Sequence, residues 1–183
     1  MKKIVCLIVL AITSLGAIQA QDSDQTSTSQ ARNEIKLNAF NLIAFSFLDL
    51  QYEYLLNEEA SLGISVLFNL GEDDEFLDES RQFSFTPYYR QYFSNKYAKG
   101  FFVEGFGMLN SGEEQFIIFE GDGSVNNGGT YTDFALGVSV GGKFVTKRGF
   151  VAEIYTGIGR NLLNSNFAPE LVTRGGISLG YRF

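Results

Sequence analysis

The chain has no histidine and no tryptophan, one cysteine and two prolines in 183 residues. Without histidine it lacks the side chain whose ordinary pKa lies near neutrality, so the commonest acid-base catalyst is missing. The single cysteine, Cys6, falls within the first 20 residues, which leaves no disulfide for the rest of the chain. No later segment approaches the ~20 uninterrupted apolar residues of a transmembrane helix. Basic residues are scarce as well. The chain carries 14 Lys and Arg against 21 Asp and Glu, a net charge of -7, which offers no concentrated basic surface to nucleic acid.

What is present begins with an export signal. Lys2 and Lys3 precede an apolar core over residues 4–15 and small residues ending at Ala20, so cleavage is predicted after Ala20. Too little apolar core precedes Cys6 for a lipoprotein signal. Removing residues 1–20 leaves 163 of the 183 and takes away two lysines, so the charge moves from -7 to -9. Residues 21–33 form a Ser, Thr, Gln and Asp tract too polar to offset its ordering entropy, and read as a disordered periplasmic lead-in. The remainder, 34–183, reads as one domain.

The chain is rich in Phe (18), Tyr (9) and Gly (20), nearly all of them in that domain, where they alternate instead of clustering. So much glycine is ill suited to helices, where each costs ~1 kcal/mol against alanine. Period-2 patterning is clear from residue 34 on. Leu48, Leu50, Tyr52, Tyr54 and Leu56 share one face, opposed by Asp49, Gln51 and Glu53. Leu62, Ile64, Val66, Phe68 and Leu70 oppose Gly63, Ser65 and Asn69 after a hairpin-length link. Strands are predicted at 34–43, 46–56, 60–70, 82–93, 100–109, 130–144, 149–160 and 173–183. Eight is an even number, which returns both termini to one side. Links at 57–59, 94–99 and 145–148 are short, whereas 71–81, 110–129 and 161–172 are long and polar. That asymmetry is the one expected of short periplasmic turns and long external loops. The link near 43–47 is short where a long one is expected. Pro87 falls inside the fourth strand, where a bulge or break is predicted because proline cannot donate to the ladder.

Alternation alone also fits a soluble barrel with an oily interior. A soluble barrel would carry many outward charges. Here one face is Leu, Ile, Val and Phe, as in Phe134, Leu136, Val138 and Val140, and the other is Ala135, Gly137, Ser139, Gly141 and Lys143. The apolar face is therefore assigned to lipid. Tyr52, Tyr54, Tyr92, Phe93, Phe150, Tyr181 and Phe183 lie near strand ends and read as interfacial girdle aromatics, although Phe and Tyr favour strands in any case. On the inner face fall Lys36, Glu53, Arg90, Glu104, Lys143, Glu153 and Arg182. Charges in a closed lumen must be paired, so these are expected to form a charged network. A structural plug is the plainer reading, and a polar relay or narrow ligand site built on Glu53, Glu104 and Arg90 the functional one. Bulky inner Tyr88, Tyr92, Phe102 and Phe106 argue against a wide channel.

No catalytic constellation, metal site or cofactor site is predicted. No serine sits in a Gly-x-Ser-x-Gly turn. The acidic run Glu72, Asp73, Asp74, Glu75, Asp78 and Glu79 and the stretch Glu120, Gly121, Asp122, Gly123 do not place ligands as a calcium loop does, and read as solvated loops. Glycine pairs at 128–129, 141–142 and 175–176 precede no helix and form no phosphate cradle.

The runs EIKLNAFNLI, LQYEYLLNEEASLGISV, FTPYYRQYF, KGFFVEGFG, GVSVGGKFVTKRGFVAEIYTGIGRNL and GISLGYRF, taken in order, resemble a family of small bacterial outer-membrane β-barrel proteins of unknown function, with an eight-stranded architecture of the OmpX and OmpW kind. The resemblance spans most of 34–183. It implies an all-β, eight-stranded antiparallel up-and-down transmembrane β-barrel in the Gram-negative cell outer membrane, and it carries over no catalytic residue. The expected partners are outer-membrane lipid and the outer-membrane assembly machinery, the latter through the C-terminal strand, with no nucleic acid and a monomeric state. The expected role is non-catalytic, structural or surface-interacting through the acidic loops. Passage of small or apolar solutes ranks second, and action on lipid third.

Overall fold

The computed structural model describes residues 31–71, 81–94, 96–114, 117–120, 123–126, 129–163 and 167–183. The predicted signal segment, most of the lead-in and the acidic run at 72–79 lie outside them. Among the described residues the strands are β1 (Asn33–Asn38), β2 (Phe47–Leu55), β3 (Ala60–Asn69), β4 (Arg81–Tyr92), β5 (Gly100–Glu114), β6 (Ile117–Glu120), β7 (Gly123–Asn126), β8 (Gly129–Val145), β9 (Phe150–Asn161) and β10 (Leu171–Arg182), with one helix, α1 (Ala39–Phe45), between β1 and β2. Eight strands close into an antiparallel barrel in the order β1-β10-β9-β8-β5-β4-β3-β2, while β6 and β7 form a separate hairpin. Closure leaves no open sheet edge over the paired length. The seam is β1 on β10, tied at its end by Asn33 N to Phe183 O at 3.1 Å and Phe183 N to Asn33 O at 2.8 Å.

Strand parity sorts the residues. On β8, Tyr131, Asp133, Ala135, Ser139 and Lys143 are buried, whereas Leu136, Val138, Val140 and Phe144 are exposed, the last by 70%. Outward apolar residues run from Leu48 to Leu56, Leu62 to Leu70, Phe101 to Leu109, Phe134 to Phe144 and Phe150 to Ile158, each about the 9–11 residues of a tilted transmembrane strand. Beyond that belt the outward positions turn polar, at Glu113 on β5 and at Thr130 and Thr132 on β8. Inside, aromatic rings lie over inward glycines of neighbouring strands. A Cβ at Gly63 would strike the Tyr88 ring, one at Gly137 the Phe106 ring and one at Gly141 the Phe102 ring.

Two expectations need correction, and a third is narrowed. The first predicted strand, 34–43, ends at Asn38, and residues 39–45 turn into α1. Asn38 caps the helix by accepting from Asn41 N at 3.1 Å, and Ser46 closes it in the left-handed conformation at φ 57°. The apolar run of this segment hides which period applies. At Pro87 the expected bulge or break takes the form of a local break without an inserted residue: Pro87 faces Ile64 on β3, and the β4–β5 register is the same at Phe85↔Leu109 as at Tyr88↔Phe106, with Thr86 and Pro87 left out of the pairing. The register shift lies instead between Arg81 and Phe83. Finally, the chain between β5 and β8 is not loop throughout, since β5 runs on to Glu114 and β6 and β7 pair as a hairpin.

Candidate functional site: an ion-paired lumen beneath an outer cavity

Because inward positions recur every second residue, seven of the eight barrel strands bring their charges to one axis. Nearest the termini, Arg182 pairs with Glu34 (Nη2 to Oε1, 2.6 Å) and donates to the carbonyls of Tyr97 and Ala98 at 3.2 and 2.8 Å, which ties the β4–β5 turn across that end. Lys143 bridges Glu34 and Glu53 at 2.8 and 2.7 Å. Lys36 bridges Glu53 and Glu153 at 2.6 and 2.9 Å. Arg90 reaches Glu153, Glu53 and Glu104 at 2.7, 3.0 and 2.6 Å, with its guanidinium between the Tyr88 and Phe102 rings, 4.5 and 4.3 Å from their centroids. Glu104 then accepts from Arg174 Nη1 at 2.7 Å and from Ser139 at 3.0 Å.

The result is one continuous chain of ion pairs. It joins Lys36, Glu53, Arg90, Glu104, Lys143, Glu153 and Arg182, the seven inner-face residues singled out in the sequence, and adds Glu34 and Arg174, which were not. Glu34 is the second residue of β1, where no preceding alternation sets its parity. Arg174 lies in a glycine-rich stretch, Arg174-Gly175-Gly176, with little apolar contrast to mark its face. Asp49 stands apart from the ion pairs. Its carboxylate accepts from Ser65 Oγ at 2.6 Å, Asn38 Nδ2 at 3.0 Å and Asn41 Nδ2 at 3.2 Å.

Of the predicted girdle aromatics, Tyr52, Tyr54, Phe93, Phe150, Tyr181 and Phe183 face outward and are exposed, all near the end of the barrel that carries the short turns. Tyr92 is not among them. It shares parity with Tyr88 and Arg90, is 2% exposed, donates to Glu53 Oε1 and accepts from Lys143 Nζ. It belongs to the lumen with Tyr88, Phe102 and Phe106, all buried.

At the opposite end the lumen widens into a cavity of about 300 Å³. Asp49, Tyr155 and Arg174 reach it from within the barrel, Phe40 and Phe45 come from α1, and Arg81 stands at the mouth. Among the described residues, Arg174 Nη2, Tyr88 OH, Gln51 Oε1 and Asn110 Oδ1 are buried without a hydrogen-bond partner. No group of three or more Asp, Glu, His or Cys that suits a metal occurs among the described residues. The arrangement is therefore a plug of neutralised charge below and a polar-floored, aromatic-rimmed cavity above.

No family model matches the chain, and no curated protein does. Among solved structures, the crystal structure of the N-terminal β-barrel domain of Pseudomonas aeruginosa OprF is similar, with a TM-score of 0.50 and 13% identity over 84% of this chain and 98% of that one. At that identity the likeness speaks for architecture alone: this chain folds as a closed, eight-stranded antiparallel barrel of the shape seen in that domain.

Proposed function

We propose that this chain is an exported protein of the bacterial outer membrane, whose barrel spans the bilayer as a closed monomer and works at the cell surface rather than as a diffusion pore. One observation carries the reading: the barrel is inverted relative to a soluble protein, with exposed Leu, Ile, Val and Phe on the outside and Lys, Arg and Glu side chains at 0% exposure within. Apolar patches of this extent are not left in water. Cleavage after Ala20, a lead-in ahead of β1, recognition of the last strand by the assembly machinery and contact through the acidic external loops complete the proposal. The exposed aromatics Tyr52, Tyr54, Phe93, Phe150, Tyr181 and Phe183 serve as the periplasmic girdle. No reaction is proposed.

Passage of small solutes is the second reading, favoured by the outer cavity. The ion-paired half of the lumen opposes it, because a path through would have to break contacts of 2.6 to 2.9 Å on Lys36 alone.

Two measurements test the proposal. Reconstituted protein should migrate on a gel as a compact species until heated, and should give no steady conductance in a planar bilayer. Recovery of the mature chain as a detergent-free soluble monomer would overturn the membrane reading, and stepwise conductance would overturn the closed one.

A further inference from the structure

The wall of the barrel is incomplete on one side. Strand β10 starts at Leu171, but β1 pairs with it only from Asn38↔Ser178 to Glu34↔Arg182, so residues 171–177 of β10 have no strand on that flank. Helix α1 stands there instead, against β10 and β2. The carbonyls that a longer β1 would have engaged are taken by side chains. Asn38 Nδ2 donates to Gly175 O at 3.0 Å, and both Arg81 Nη atoms, reaching across the mouth, donate to Thr173 O at 3.1 Å.

The cavity passes through this gap. On β10, Arg174 and Gly176 share parity with buried Val172 and Ser178 and face inward, whereas Thr173 and Gly175 face outward, yet all four line the same space. Thr156, the outward partner of Gly175 on β9, lines it too. A cavity bounded by both faces of a barrel wall opens sideways, here within the reach of the apolar belt.

Its lining sorts by chemistry. Phe40, Phe45, Phe47, Leu67 and Met108 supply an apolar flank. The guanidinium of Arg174 lines it, with Nη1 held by Glu104 at 2.7 Å, and so does the carboxylate of Asp49, whose two oxygens are already occupied by Ser65, Asn38 and Asn41. The unfilled hydrogen-bonding capacity at the floor is a donor, Arg174 Nη2, on a side chain that is 6% exposed. An unmatched buried donor selects an acceptor, and a guanidinium favours an oxyanion.

We propose that this cavity binds a single-chain amphiphile with an anionic oxyacid head, taken up sideways from the bilayer between α1 and β10, its head toward Arg174 and its tail along Phe40, Phe45 and Phe47. The proposal rests on the membrane reading above. A volume near 300 Å³ sits at the lower end of ligand cavities and suits a head with a medium-length chain, not a multi-chain lipid. The ion-paired plug beneath makes it a binding site closed at its base.

The absence of tryptophan provides clean reporters. F45W places an indole in the cavity, and L136W places one on the outward face of β8. Each variant, in dioleoylphosphatidylcholine vesicles, is titrated with 11-bromoundecanoate, a bromine quencher, and with 11-bromoundecanol. The expected result is saturable quenching of F45W by the acid, at least tenfold weaker for the alcohol and relieved by unlabelled undecanoate. L136W should show only the non-saturating quenching of a probe dissolved in lipid. Introducing R174Q into F45W should weaken the acid at least tenfold and bring it level with the alcohol, while the alcohol comparison keeps the test decisive should that variant fail to fold. Equal, non-saturating curves for F45W and L136W would overturn the site, and saturable binding that ignores the head would overturn the assignment to Arg174. An unquenched L136W would instead overturn the membrane reading itself.

Discussion

Glu53 accepts from Lys36, Lys143, Arg90, Ser61 and Tyr92, so its two oxygens tie β1, β8, β4 and β3 to β2. Removing one partner from a buried ion-paired set costs about 3–5 kcal/mol, because the charges left behind stay desolvated. E53A should therefore lower markedly the temperature at which the compact gel species converts to the unfolded one. In E53A, Lys143 keeps Glu34 at 2.8 Å and has Glu153 only at 4.0 Å. Adding K143M should recover part of the loss, with a coupling of about 0.5–3 kcal/mol in the double-mutant cycle. Simple additivity would mean that the two side chains do not act together. Single-residue placement was readable in the sequence wherever a long alternating strand supplied a phase: Ser139 and Lys143 follow from Val138 and Val140. It failed at margins and glycine-rich stretches, which is why Glu34 and Arg174 went unplaced. Tyr92 invited two opposed assignments because an aromatic near a strand end suits either face, and only the phase set by Arg90 decides it.

At the scale of the strand, glycine makes room where inner rings and neighbouring strands crowd the wall. A methyl at Gly137 would lie 2.5 Å from Ile158 O and 2.7 Å from the Gly159 Cα, both backbone, so the strand itself would have to move. A methyl at outward Gly105 meets nothing within 4 Å. G137A should destabilise the barrel by about 1–3 kcal/mol, as overpacking does, while G105A should be neutral or slightly stabilising. Heat-modified migration of the two variants side by side checks the contrast, and equal shifts would contradict the packing described. Hairpin spacing and period 2 made the barrel strands legible to within a few residues. The segment Ala39–Phe45 was not, since seven largely apolar residues match a buried strand as readily as a short helix. Its one local signal is Asn38, a helix-capping residue followed by the apolar run, and that signal competes with the strand pattern on its left.

For the molecule as a whole, buried charge cancels among the described residues: Lys36, Arg81, Arg90, Lys143, Arg174 and Arg182 stand against Glu34, Asp49, Glu53, Glu104, Asp133 and Glu153. Ions in solution screen such contacts far less than exposed pairs. The unfolding temperature should accordingly change little between low and molar salt, and a steep fall would show that water reaches the network. The exposed Arg160–Glu170 pair, 67% and 72% exposed, adds little either way. Closure and strand number were legible because parity, turn length and an even count agree. The cavity was not, because it depends on where β1 stops.

That early stop also tilts the rim. β1 has 6 residues and β8 has 17, so at ~3.4 Å per residue the wall rises like a parapet on the β5–β8 flank and dips to a sill beside α1. Approach from the medium is thereby directional. A bulky visitor docked on the high flank leaves the sill unobstructed, whereas one settling over α1 would shutter the side door, so two antibodies of equal affinity, raised to opposite flanks, should differ in whether they block entry.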